Sequence, residues 1–133
     1  MKLTRENAIL PFPPNSDLSG KEGYIVCIQT NGYVGAVEVY STTGSLPPFG
    51  VVLVGSTGGE KTSVAICSGG LAGTVKLKLS AAVKAGEDLQ VDNGGTVSPD
   101  SGSGSRILVG QALEEGVEDE LIEAILFRPI TLA

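Results

Sequence analysis

The chain has 133 residues, 41% of them hydrophobic and 18% charged, so it is long enough to bury one core and too apolar for disorder throughout. Its formal net charge of −6, from 9 basic and 15 acidic residues, argues against nucleic acid or an anionic membrane surface as a partner, because both are bound through Lys and Arg. The 19 glycines and 7 prolines favour many short strands joined by tight turns over long helices.

Residues 1–20 are predicted to form an extended N-terminal arm. Pro11, Pro13 and Pro14 surround Phe12 and favour an extended, polyproline-like backbone, since proline fixes φ and restricts the residue before it. No segment before Gly23 has the periodicity of a core element. Two interpretations of the arm stay open: a frayed terminus, and a tether that becomes ordered on a partner.

Residues 21–133 are predicted to form a single β-rich domain. The clearest strand is 74–80, where Val75, Leu77 and Leu79 alternate with two lysines. Other segments with strand patterns are 24–29, 35–40, 51–54, 62–68, 89–91, 96–97, 107–113 and 121–127. Short strands with a turn signal about every ten residues are typical of a small β-barrel or β-sandwich.

Turn signals separate the later strands. Residues 92–95, Asp-Asn-Gly-Gly, predict a hairpin with a type I′ turn, and residues 98–105, almost all Ser, Gly, Asp and Pro, predict an exposed loop. The acidic connection 114–120 predicts a second hairpin. Residues 118–126 could also be read as a helix, but we favour a strand that Pro129 ends.

Residues 55–62, Gly-Ser-Thr-Gly-Gly-Glu-Lys-Thr, nearly fit the phosphate-binding loop G-x-x-x-x-G-K-[ST]. Glu60 stands at the place of that loop's second glycine and would bring a carboxylate close to the phosphates. The residues that follow look like a strand, whereas the loop needs a helix there to aim its amide groups at the anion. We therefore interpret the segment as a hairpin loop and predict no nucleotide site.

No catalytic residue, cofactor site or metal site is predicted. The chain has no histidine, so no imidazole is available as a general base or a zinc ligand. Cys27 and Cys67 lie in apolar runs and are interpreted as buried free thiols. The acidic run 114–123 lacks the alternating oxygen positions of a calcium loop and is interpreted as a solvated turn. We therefore expect a binding protein rather than an enzyme.

One alternative from another class stays open: a biotinyl or lipoyl carrier, or a small-ligand-binding β domain. Residues 83–89, Val-Lys-Ala-Gly-Glu-Asp-Leu, resemble the Gly-acid-Leu corner of biotinyl and lipoyl carrier domains. Those domains present their modified lysine at a hairpin tip. Lys84 belongs to the corner instead, and the hairpin tip in this chain is Asn93-Gly94.

Several segments together resemble the capsid decoration, or head cement, proteins of tailed bacteriophages. They are a non-core N-terminal arm, Gly-Thr-Val-Lys-Leu-Lys-Leu (73–79), the corner 83–89, Gly-Gly-Thr-Val (94–97), Ile-Leu-Val-Gly-Gln-Ala-Leu-Glu (107–114) and Glu-Ala-Ile-Leu-Phe (123–127). In that family a Val-Gly-x-Ala-Leu strand, a short turn and a last apolar strand recur near the C-terminus. The resemblance spans about residues 20–128, and its motifs are compositional rather than chemical.

The resemblance implies a structural protein of the virion that binds the outer surface of the capsid. Such proteins are often trimers, contact the major capsid protein and stabilise the expanded shell, and this one would be assembled in the host cytoplasm. No nucleic acid, membrane or cofactor takes part. In this interpretation residues 1–14 attach the protein to the shell, with four apolar anchors: Leu3, Ile9, Leu10 and Phe12.

Overall fold

Ten strands make up the regular structure of the computed structural model, which describes residues 9–31, 34–42, 46–57, 60–67 and 73–133. The strands are β1 (Ile9–Phe12), β2 (Ile25–Asn31), β3 (Val34–Val39), β4 (Gly50–Val54), β5 (Thr62–Ile66), β6 (Thr74–Lys78), β7 (Asp88–Val91), β8 (Val97–Pro99), β9 (Arg106–Ala112) and β10 (Leu121–Leu132). No helix occurs within these described ranges. The predicted all-β class is confirmed, and 118–126 belongs to a strand-turn segment rather than to a helix.

The strands form two antiparallel five-stranded sheets, ordered β1-β5-β4-β2-β3 and β6-β10-β9-β7-β8. We call residues 9–67 the first unit and residues 73–133 the second unit. The first sheet closes on itself, because Val37 N donates to Pro13 O at 3.0 Å and Asn15 N donates to Val37 O at 2.8 Å. Main-chain hydrogen bonds therefore join β3 back to the segment that follows β1, as in a small barrel.

The second sheet closes in the same way. Ser80 N, just after β6, donates to Val97 O on β8 at 2.8 Å, and the bridge between Leu79 and Val97 is parallel, as is the one between Pro14 and Val37. Closure leaves few unpaired strand edges, which are the usual route to unwanted strand pairing. Each unit is thus a five-stranded sheet whose two edges are joined by a main-chain bridge, as in a small barrel.

The two units have the same topology. Matching β1 with β6, β2 with β7, and so on through β5 with β10, makes the two strand orders identical. Hydrogen bonds outside the strands repeat as well: Leu18 N donates to Ser56 O at 2.9 Å, and Val83 N donates to Gly116 O at 3.0 Å. The chain therefore contains a structural duplication.

Glycines at matching positions on β4 and β9 support the same conclusion. Gly50 pairs with Ile66, and Gly110 pairs with Leu126. A Cβ added to Gly50 would collide with the carbonyl oxygen of Ala65, and one added to Gly110 would lie 2.6 Å from the carbonyl oxygen of Ile125. The same close approach between neighbouring strands requires glycine in both units.

The first unit has a core of its own, whereas the core of the second unit includes residues from both units. The first-unit core consists of Leu18, Val26, Val37, Val52 and Val64, with Phe12, Ile28, Val39 and Phe49 packed against it. The second core consists of Val75, Leu77, Leu79, Val83, Leu89, Val91, Val97, Val109, Ala112, Ile122, Ala124 and Leu126 together with Ile25, Tyr40, Val51 and Ala65 of the first unit. One face of the first unit therefore completes the interior of the second.

Part of the predicted arm lies in the first unit. Ile9–Phe12 is strand β1, paired with β5, and Leu18 is fully buried. The expectation that no core element precedes Gly23 is therefore wrong, because a single leucine in a polar segment reaches the core through tertiary contacts. Residues 1–8 of the arm lie outside the described residues, and the boundary between an arm 1–20 and a domain 21–133 stays a prediction.

Three predictions of local structure were wrong. The hairpin at 92–95 exists, but its positive φ angles are at Gly94 and Gly95, whereas a type I′ turn needs one at Asn93. Pro129 does not end β10, because it lies in the register shift between Leu126 and Ile130, where the ladder with β9 does not need its missing N–H. The loop predicted at 98–105 begins two residues later, since Val97–Pro99 is β8.

Candidate functional site

The four predicted anchors are distributed unevenly. Leu3 lies outside the described residues. Ile9, Leu10 and Phe12 lie on β1, whose side chains alternate between exposed and half-buried. Ile9 is 37% exposed, whereas Phe12 packs against the first-unit core. The capsid-binding role of these residues stays a prediction, and Phe12 also has a role in the fold.

Phe12 meets a second aromatic ring that the sequence analysis did not single out. Its ring centroid lies 5.2 Å from that of Phe49, at an interplanar angle of 87°, a favourable edge-to-face arrangement. Ile28 packs against the same core and is also half-buried. We call Phe12, Ile28 and Phe49 the apolar rim of the first unit.

The two units contact each other through main-chain hydrogen bonds on both sides of residues 23–25, where β2 begins. Lys78 N donates to Gly23 O at 2.9 Å, and Ile25 N donates to Gly95 O at 2.7 Å. The segment 23–25 therefore lies between β6 and the tip of the β7–β8 hairpin. A Cβ on Gly23 would collide with the side chain of Leu121, so the contact is tight.

The β7–β8 hairpin tip is held against the first unit by two further bonds. Gly94 N donates to Tyr40 O at 3.1 Å, and Asn93 Oδ1 accepts from Thr42 N at 3.0 Å. The predicted Asn-Gly tip thus serves as a contact between the units. These bonds, with the shared core, make the two units one packed body.

Two open grooves run along this contact, with volumes of about 380 and 280 Å³. The larger is lined in part by Asp92 and Arg106, whose charged groups already have partners in the second unit. Asp92 accepts from Ser80 Oγ at 2.5 Å and from Ser98 Oγ at 3.1 Å, and Arg106 forms an ion pair with Asp100. The charged groups of Asp92 and Arg106 are therefore bound to residues of the second unit itself.

Two carboxylates have shifted pKa values for local reasons. The hydrogen bond from Arg106, with a second from Gly102 N, holds the pKa of Asp100 below its usual value. Hydrogen bonds from Thr74 and then Lys76 lower the pKa of Glu123. Both shifts favour the ionised form at neutral pH, which suits structural ion pairs rather than a general acid.

The two thiols are in apolar surroundings. Cys27 is buried, as predicted, and Cys67 is partly buried. Burial raises the pKa of Cys67 to about 12, and burial also raises the pKa of Cys27. A thiol with a raised pKa is a poor nucleophile and a poor metal ligand at neutral pH.

The near-match to a phosphate-binding loop is a connection between β4 and β5, and residues 58–59 within it lie outside the described residues. The segment that follows is strand β5, as the hairpin interpretation requires. Within the described ranges, no three His, Cys, Asp or Glu side chains come together as a metal site. No helix in the described part of the chain is long and apolar enough to cross a membrane.

The carrier alternative depends on Lys84, which is exposed. Its carbonyl oxygen accepts from Glu87 N at 3.2 Å, and its own N–H donates to Glu87 Oε2 at 3.1 Å. Lys84 therefore belongs to a tight corner between β6 and β7, as the sequence analysis indicated.

Two closed five-stranded units joined through an apolar face define an all-β fold with an internal duplication. Among solved structures, this chain is similar to the N base of head fiber gp8.5 of bacteriophage phi29. The TM-score is 0.65 at 17% sequence identity, and the match covers 94% of this chain and 97% of that chain. At this identity the similarity shows a shared fold, so the resemblance to phage head proteins is confirmed at the level of the fold.

No family model matches the chain. No curated protein matches it either.

The sequence analysis missed the duplication and, with it, the apolar rim. Matching residues share apolar character rather than identity: Phe12 corresponds to Leu77 and Leu18 to Val83. A pattern comparison of the two halves could have found the recurring order of buried positions. The two matched glycines, Gly50 and Gly110, are the clearest signal in the sequence itself.

Proposed function

We propose that this chain is a structural protein of a phage head that binds the outer surface of the capsid, assembles as a trimer and stabilises the expanded shell. The observation that carries the proposal is the fold, which this chain shares over nearly its whole length with the base of a phage head fiber. The sequence resemblance to capsid decoration proteins points in the same direction. Binding to the major capsid protein, at the surface of the virion, is part of the proposal, and catalysis is not.

The construction of the two units suits such a role physically. A protein that braces a shell must transmit force between neighbours without opening. In each unit a bridge with main-chain hydrogen bonds joins the two edges of the sheet, and this closure opposes opening. Each copy needs only a modest contact area, since many copies on one lattice add their effects. Exposed apolar side chains such as Ile9 and Val54, 37% and 62% exposed, are available for that contact.

The proposal is tested by adding the purified protein to expanded phage heads made without it. We expect it to co-sediment with the heads, to raise their resistance to heat, and to appear as knobs on the shell in electron micrographs. Light scattering of the free protein tests the trimer separately. Failure to bind heads would refute the proposal, and an intact mass that shows a prosthetic group on Lys84 would favour the carrier alternative.

The role of the N-terminal arm needs a truncation that keeps β1. Deleting residues 1–14 would remove a strand of the first sheet together with the arm. Removing residues 1–8 leaves β1 in place and tests only the part of the arm that precedes it. Unchanged binding by this shorter truncation would exclude Leu3 as an anchor.

A further inference from the structure

The smaller of the two grooves between the units has apolar walls and an open mouth. Leu53, Val75 and Leu121 are among its lining residues, and its volume is about 280 Å³. Leu121, at the start of β10, is 43% exposed, although it is a large apolar side chain. Pockets for small molecules usually measure roughly 300–1,000 Å³, so this groove suits a single apolar side chain of a protein partner.

The charged groups around this groove are mostly acidic. Glu22, Lys76 and Glu123 line it, and Lys76 Nζ lies 3.3 Å from Glu123 Oε1 and 3.7 Å from Glu114 Oε1. The groove and its margin thus carry three carboxylates and one ammonium group. A partner that complements this surface brings an apolar side chain together with a positive charge.

The other end of β10 projects from the second unit. In the described part of the chain, β6 pairs with Leu121–Ile125, so residues 126–132 are flanked by β9 alone. Arg128 lies in the register shift between Leu126 and Ile130, and such an irregularity turns side chains away from the regular ladder. Arg128 is exposed, and Ile130 is 46% exposed. We call residues 128–132 the projecting end of β10.

The projecting end has the chemistry that the groove requires. Of the exposed large apolar side chains that the structure describes, Ile130 alone has a basic residue within two positions in the chain. That residue, Arg128, takes part in none of the ion pairs among the described residues. Arginine is enriched in protein interfaces, because its planar guanidinium group binds carboxylates and is weakly hydrated.

The two surfaces can meet only between copies of the chain. Leu121 and Ile130 are nine residues apart on one strand, or roughly 30 Å at about 3.3 Å per residue. Groove against groove would bring two acidic recesses together, and projecting end against projecting end would oppose two Arg128 side chains, so both symmetric contacts are disfavoured. A contact between two different surfaces remains, and repetition of such a contact closes a ring when the rotation between copies allows it.

We infer that the projecting end of β10 docks in the smaller groove of a second copy, with Ile130 beside Leu121 and Arg128 facing Glu22 and Glu123. Three copies joined in this way form a closed ring, in which each copy uses both surfaces. This inference rests on the proposed function, because it gives the proposed trimer its interface. It leaves the first-unit strands β1 and β3 outside the ring contact and available to the shell.

The inference is tested by disulfide crosslinking of a variant with Leu121→Cys and Ile130→Cys. A disulfide needs Cα atoms within about 7 Å, so these two positions cannot form one within a copy. The matched control combines Ile130→Cys with Ile9→Cys, which replaces another exposed apolar side chain. Thermal unfolding of the reduced variants detects a folding defect separately. After mild oxidation, denaturing gels show the yield of covalent dimer and trimer.

We expect the pair at positions 121 and 130 to give at least a tenfold higher yield of covalent trimer than the control pair. Equal yields from the two pairs would overturn the inference. A wild-type protein that light scattering shows to be a monomer at every concentration would also overturn it.

A charge reversal tests the same contact without added cysteines. We expect Arg128→Glu to weaken self-association at least tenfold in light scattering, because it places a carboxylate against Glu22 and Glu123. Lys84→Glu is the control, since it makes the same change of charge at another exposed position of the second unit, and it should leave self-association unchanged. An equal effect of the two variants would contradict the inference.

Head binding separates this inference from the proposed function. An Arg128→Glu protein that stays trimeric but no longer binds expanded heads would assign the projecting end to the capsid and overturn the inference. A wild-type trimer that does not bind heads would refute the proposed function itself. The two failures are therefore distinguishable.

Discussion

Leu18→Ala is the substitution that tests most directly whether residues 9–20 are part of the fold. Leu18 is fully buried in the first-unit core, and its backbone N–H donates to Ser56 O at 2.9 Å. Removing a fully buried leucine side chain costs about 3 kcal/mol, from lost burial and from the cavity left behind. The backbone bond is unaffected by the substitution, so the loss measures side-chain packing alone.

Thermal unfolding of the purified protein gives the measurement. For a chain of this length the unfolding entropy is roughly 280 cal/mol/K, so a loss of about 3 kcal/mol lowers Tm by about 10 °C. Val117→Ala is the control, because it also shortens an apolar side chain but at a position that is 59% exposed. Equal and small shifts for both variants would refute the conclusion that this segment holds the core.

Three further predictions concern single positions. Gly110→Ala should lower the free energy of unfolding by about 2 kcal/mol, because the added Cβ meets the carbonyl oxygen of Ile125. Chemical denaturation measures this loss. An equal effect of Leu113→Ala, at an exposed neighbouring position, would contradict the steric reason. Cys67, whose pKa burial raises to about 12, should react with a thiol reagent at pH 8 on the order of 10³-fold more slowly in the native than in the denatured protein, and fast native labelling would refute this. The lowered pKa of Asp100 means that its ionised form stabilises the fold above the unfolded pKa near ~3.9, and that this stability is lost as the pH falls through the lower folded value. Asp100→Asn should therefore lower Tm at pH 7, and the difference in Tm from the wild type should shrink as the pH falls below the unfolded pKa. A difference that stays the same as the pH falls would show that the ion pair is not the cause.

Strand β6 shows what the sequence was able to predict. Val75, Leu77 and Leu79 are buried on one face and the lysines between them face outward, because a strand with one face in the core must alternate with period two. Turn chemistry located the turn at Asn93-Gly94, and the acidic connection 114–120 with its glycine predicted the pairing of β9 with β10. A strand whose own residues alternate between apolar and polar can be predicted from the local sequence.

Leu18 shows what the sequence was not able to predict. The leucine stands alone among Asn15, Ser16, Asp17 and Ser19, so no period marks it as a core residue. Its burial depends on the closure of the first sheet around it, which is a property of distant strands. The apolar rim was missed for the same reason, because its three residues come from separate segments of the chain.

The division of the two cores has a consequence for the order of folding. Every residue of the first-unit core lies between Phe12 and Val64, so the N-terminal half can complete its interior from residues that leave the ribosome first. The later half needs Ile25 and Val51 already in place to fill its own interior. During synthesis from the N-terminus, the first unit can therefore fold before the second unit, whose core depends on it. A circular permutant that begins at residue 73 should fold more slowly than the natural order.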